Sequence, residues 1–189
     1  MPIKGGELPY HERQTPLRQL CLMHALNMLF GEPRLTQAYM DQVCDQLVST
    51  SPEDEQDSIL AKLTTTNPHK GRWLGGNYDV NVALYILECE LKYQVNYYRK
   101  PKNNNKEDDL ELMAGILVNV PGTFRWTRHW IMYKRWSVST GNNGIGEPPQ
   151  WYQLDSKASG PIKIQSIHTQ VDKHLQTGDT ILTIQKQQG

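Results

Sequence analysis

The apolar positions change period partway along the chain. After Cys21, Leu22, Leu26, Leu29 and Phe30 recur at the spacing of one helix face, and Gly31-Glu32-Pro33 stops the run. Thr36 can cap a second helix that turns Tyr39, Met40, Val43, Leu47 and Val48 inward. Asp79 precedes a third periodic run, Val80, Val82, Ala83, Leu84, Ile86 and Leu87, ending near Leu91. Beyond that point the pattern becomes strand-like: Tyr93–Tyr97 alternates, and residues 114–120 form a short apolar run halted by Pro121-Gly122. Residues 129–136, 150–154 and 180–184 add three β-rich segments, with a helix expected at about 164–176. Helices first and antiparallel strands later predict an α+β domain, its N-terminal helices packed on an antiparallel sheet.

The composition fits one such domain. The 189 residues carry 20 basic and 20 acidic side chains, and a chain of this size buries roughly 70% of its unfolded surface. Residues 1–9 read as an N-terminal extension and 10–186 as a single domain, with polar interruptions at about 49–58, 101–109 and 139–149 as loops within it. The run at 100–109 is a solvated loop. Balanced charge offers no basic face, so nucleic acid is not an expected partner. No apolar signal core or membrane-length run is present, which predicts a soluble, intracellular and cytoplasmic protein. Three cysteines without a Cys-x-x-Cys pair fit reduced thiols, with Cys44 and Cys89 as buried helix residues. Nothing in the chain sets an oligomeric state.

The candidate chemistry lies in the order of three residues. Cys21 falls at or near a helix N-terminus, where unpaired N–H groups and the positive dipole end favour a thiolate. His129 would start one strand and Asp155 end its neighbour. A thiol, a base and a group that holds the base's ring are the parts of a cysteine hydrolase. Each also has an ordinary reading, as core cysteine, strand histidine and strand-end aspartate. His24 lies three positions after Cys21, and a metal site would need Cys44 or His69 as well. That spacing fits no common zinc pattern, so His24 is expected to be a hydrogen-bonded structural residue. Gly75-Gly76-Asn77 lacks the Lys-Ser/Thr ending of a phosphate loop and reads as a turn into the third helix. No metal, nucleotide or flavin cofactor is expected.

Several blocks together resemble a known family. Tyr10-His11-Glu12-Arg13-Gln14 followed by Leu20-Cys21-Leu22-Met23-His24-Ala25-Leu26-Asn27 resembles the opening of a Josephin domain, the papain-like deubiquitinase module. Asn67-Pro68-His69-Lys70 with Gly75-Gly76-Asn77-Tyr78-Asp79-Val80-Asn81-Val82 is similar to the small stand-alone Josephin proteins. Arg128-His129-Trp130 and Leu154-Asp155-Ser156-Lys157 complete the order, so the resemblance runs from about Tyr10 to Thr183.

The resemblance implies a papain-like fold, with ubiquitin and ubiquitinated proteins as partners. It implies Cys21 as nucleophile, His129 as general base and acid, Asp155 as the orienting residue, and Gln14 as oxyanion donor with Gln19 as its rival. It also implies Asn77 and Val80 as ubiquitin contacts, beside their reading as cap-adjacent and core residues. Trp130 is a further candidate, covering the His129-Asp155 pair or simply filling the core. The chain departs from the family pattern in an apparent two-residue insertion around Thr15-Pro16 and in the long Gly- and Asn-rich connection at 139–149. The implied reaction is hydrolysis at the C-terminal glycine of ubiquitin through a thioester. A ubiquitin-binding module of low activity and a Cys-His-Asp acyltransferase are the alternatives.

Overall fold

A computed structural model describes residues 8–15, 18–50, 67–70, 76–99, 110–122, 128–137 and 148–187. The loops expected at 101–109 and for most of 49–58 and 139–149 lie outside them, as do Gly75 and Pro16.

Helix α1, Cys21–Phe30, is apolar on nearly every side, and all of its residues from Cys21 to Leu29 except His24 are buried. Such a helix belongs inside the molecule, not on its surface. Gly31, at φ 83°, ends it by donating its N–H to the Asn27 carbonyl at 2.8 Å. Lys134 Nζ donates to the Met28 carbonyl at 3.2 Å, satisfying another acceptor of the last turn. Helix α2, Gln37–Thr50, starts behind Thr36, whose Oγ1 accepts the Tyr39 N–H at 3.3 Å. Met40, Val43 and Cys44 are its buried face.

Helix α3, Val80–Leu84, is capped by Asp79, which accepts from the N–H groups of Asn81 and Val82. It continues without a break as a π-helical turn, Tyr85–Glu90. Ile86 and Leu87 of that turn are buried, whereas Glu88, Cys89 and Glu90 face outward. Cys89, expected in the core, is therefore an exposed thiol. The buried arc of the wide turn is already filled by its two aliphatic residues.

Six strands form one antiparallel sheet in the order β1-β6-β2-β3-β4-β5. They are β1 Tyr93–Tyr97, β2 Gly115–Pro121, β3 Arg128–Trp136, β4 Gln150–Leu154, β5 Ile162–Ile164 and β6 Thr180–Lys186. Alternation along the strands divides the core in two. Leu117, Trp130, Met132, Leu154 and Leu182 pack with α1, α2 and α3. Ile116, Val118, Ile131, Tyr133 and Ile181 pack with Ile167 and Val171 of helix α4, Ile167–Thr177. The N-terminal helices thus lie on the sheet as expected, while the late helix covers its opposite face.

The helix expected from about 164 begins three residues later. Ile162-Lys163-Ile164 pairs with β4 as a short edge strand, and Ser166 caps α4 by accepting the Thr169 N–H at 3.3 Å. Within α4, His174 joins Asp179 Oδ2 through Nδ1 and the Tyr133 hydroxyl through Nε2, both at 2.8 Å, pinning helix to sheet. No helix among the described residues is long and apolar enough to cross a membrane.

Candidate active site

Cys21 is the first residue of α1 and only 3% exposed. Among the described residues no side chain caps the start of this helix, and its first turn carries no acidic residue, so the positive end of the helix faces the thiol. On the sheet, the register Met132↔Leu154 puts Asp155, one step past β4, diagonally across from His129, the second residue of β3. His129 Nε2 lies 2.6 Å from Asp155 Oδ1. With Nε2 donating there, Nδ1 is left buried and without a hydrogen-bond partner among the described residues.

The electrostatics follow from this packing. Burial of the His129 ring opposes its charged form, but the Asp155 hydrogen bond and the adjacent Cys21 thiol outweigh it and raise the ring's pKa to about 9. Asp155 moves the other way. Burial opposes its carboxylate, yet the bonds from His129 and the Lys157 N–H hold its pKa below the ordinary value. That Lys157 N–H reaches Asp155 Oδ1 at 2.8 Å, forming a local turn that fixes the carboxylate.

The two candidate glutamines are held differently. Gln14 donates its backbone N–H to the Ser156 carbonyl at 2.8 Å, beside Asp155, and its Oε1 is buried without a partner among the described residues. The Arg18 N–H reaches the Thr15 carbonyl at 3.2 Å. Gln19 sits two residues before the start of α1 and bridges Gly76, its carbonyl accepting the Asn77 N–H at 2.6 Å. A Cβ on Gly76 would collide with that carbonyl, and φ is +93° there, so glycine is required twice over.

Trp130 is 3% exposed and donates its indole N–H to the Tyr78 carbonyl at 3.1 Å. It supports the Gly76–Tyr78 strip from within. Asn77 and Val80 are both partly exposed, Val80, the first residue of α3, packing against the core.

A polar cluster lies next to the site, and of its members Glu12 and Asn27 stand in the sequence only as neighbours of Gln14 and Cys21. Glu12 accepts from Tyr10 Oη at 2.7 Å, contacts His24 Nδ1 at 2.5 Å, and accepts from Asn27 Nδ2 at 3.1 and 3.2 Å. His24 and Asn27 are the only polar members of α1 besides Cys21, and their i,i+3 spacing on an apolar helix was the signal. His24 is hydrogen-bonded, as expected for it. His69 joins Asp79 at 2.9 Å, and burial drives the Cys44 thiol up to about 12. Among the described residues, no group of three His, Cys, Asp or Glu side chains could hold a metal ion. A cavity of about 570 Å³ lined by Arg34, Glu90, Lys92 and Lys186 includes none of the candidate catalytic residues.

A thiol at a helix start, an imidazole with one nitrogen unspent and a carboxylate on the other nitrogen are the parts of nucleophilic acyl transfer. The profile of the Josephin family matches residues 16–185. A Josephin-like protein of Drosophila melanogaster is 33% identical over 165 residues, which cover 80% of this chain and 61% of that protein. A Josephin-like protein of Arabidopsis thaliana is 32% identical over 154 residues, covering 78% of this chain and 38% of the relative. Josephin-2 of Mus musculus is 29% identical over 160 residues, covering 80% and 70%. The chain thus spans less than two thirds of the Drosophila and Arabidopsis relatives. With the family profile covering most of the sequence, and α-helices packed on an antiparallel sheet of papain-like type, the chain belongs to the Josephin family.

Proposed function

We propose that this protein is a cysteine deubiquitinase, its domain spanning residues 10–186. The single observation that carries the reading is the buried His129–Asp155 hydrogen bond beside Cys21, in a chain of the Josephin family. In this reaction Cys21 Sγ attacks the carbonyl carbon of ubiquitin's C-terminal glycine, and the electrons move onto the carbonyl oxygen. Gln14 and the Cys21 N–H donate to that oxyanion, a donor of this kind being worth about 3 kcal/mol. As the C–N bond breaks, His129 gives its proton to the departing lysine amine and a thioester remains. Water then attacks the thioester, its proton passing to His129, and the C–S bond breaks to free the ubiquitin carboxylate and Cys21. Asp155 holds the imidazole in the required tautomer throughout. Asn77 and Val80 contact the ubiquitin surface beyond the narrow Gly-Gly tail.

The test is intact-mass analysis after incubation with ubiquitin bearing a C-terminal electrophile. One ubiquitin added to wild type and none to Cys21→Ala is expected. Folded wild type that gains no ubiquitin sinks the reading, and ubiquitin titration then separates a binding module from an acyltransferase with another donor.

A further inference from the structure

We infer that Glu12 is a positioning residue that ties the nucleophile's helix to the Asp155 strand and holds Gln14 between them. The inference rests on the deubiquitinase reading for its kinetic consequence, though not for its geometry. Glu12 is nearly buried, with 13% of its side chain exposed, and both carboxylate oxygens are occupied: Oε1 by Tyr10 and Asn27, Oε2 by His24 and Asn27. Asn27 is itself immobile. It is 1% exposed and exchanges two further bonds with the Leu35 backbone, at 3.1 and 2.7 Å. The carboxylate is therefore anchored to the second turn of α1, the helix that begins with Cys21.

The neighbours of Glu12 reach the opposite way. His11 Nε2 donates to the Asp155 carbonyl at 2.9 Å, and the Gln14 N–H donates to the Ser156 carbonyl at 2.8 Å. Within four residues the chain is thus bonded to the acid's strand end at two points and to the nucleophile's helix at one. Remove Glu12 and the first attachment survives, but Gln14 can then move with β4 relative to Cys21. Charged hydrogen bonds of this kind are the strong ones, and an oxyanion donor displaced by even an ångström loses much of its effect.

Three measurements on the whole chain decide this. In Glu12→Ala, kcat for ubiquitin hydrolysis per titrated active site is expected to fall about 30-fold with KM nearly unchanged. Glu12→Gln keeps an acceptor for Tyr10 and Asn27 and is expected to retain most of kcat. In a Gln14→Ala background, Glu12→Ala is expected to cost less than about twofold more, because it acts through the same donor. Hydrogen exchange at the Gln14 amide is expected to accelerate about tenfold or more in Glu12→Ala and to stay protected in Glu12→Gln. Independent, multiplicative losses of kcat, or an unchanged Gln14 amide, overturn the inference. If wild type proves inactive on ubiquitin, the proposed function falls, and amide exchange, which needs no substrate, still decides whether Glu12 holds Gln14. Should Glu12→Ala fail to fold, the same readouts on His24→Ala serve, with Glu12→Gln as the conservative control.

Discussion

At the scale of single residues, the pH dependence of the site is set by opposed displacements on one hydrogen bond. His129 keeps its proton until about pH 9, so kcat/KM is expected to decline above that pH as the ring loses it. Asp155→Asn replaces the charged acceptor that raises the ring's pKa by a neutral amide. Its alkaline limb should move to lower pH by about one unit or more, with kcat down at least about tenfold, as a pH–rate profile would read. Stability follows the same signs. The raised His129 pKa contributes stability that is complete below the ring's ordinary value of 6.5 and lost as pH climbs through about 9. The lowered Asp155 pKa contributes stability above 3.8 that is lost as pH falls through its folded value. Melting temperature should therefore drop between pH 6.5 and 9 more in wild type than in Asp155→Asn. Cys21, His129 and Asp155 stand out in the sequence because each arrives with neighbours that resemble a Josephin motif; element-end position alone leaves each with an ordinary reading. Glu12 enters only as a neighbour of Gln14, because its partners His24 and Asn27 come from a helix twelve and fifteen positions away.

At the scale of elements, the cap residues and glycines hold the approaches to the site. Asp79→Ala removes the cap of α3 together with the bond to His69, and a loss of about 1 kcal/mol in chemical denaturation is expected. Gly76→Ala meets both the Gln19 carbonyl and an unfavourable backbone angle. It should destabilise by about 1–3 kcal/mol and loosen the bridge next to Cys21. The long elements were legible because their periods persist over many residues. Two short ones were not: β5 has three residues, too few to display alternation, and its pairing with β4 decides its conformation. The π turn was hidden for another reason. Its apolar spacing is that of an ordinary helix, and the wider turn that turns Cys89 outward belongs to backbone hydrogen bonding, which the side-chain pattern does not record.

At the scale of the whole molecule, the sheet carries a separate core on each face. Ile167→Ala, in the core beneath α4, is expected to cost about 2–4 kcal/mol while leaving kcat per titrated site within about twofold. Equilibrium unfolding and active-site titration check the two halves of that statement. The sheet order also has a meaning in time. Strand β6 lies between β1 and β2, bonded to both, although it is the last of the six to be made. A growing polypeptide that has already delivered Cys21, His129 and Asp155 still lacks the strand that joins β1 to the rest of the sheet. The sheet is thus closed by its last-made strand, and β1 has no neighbour in it until synthesis has passed Lys186.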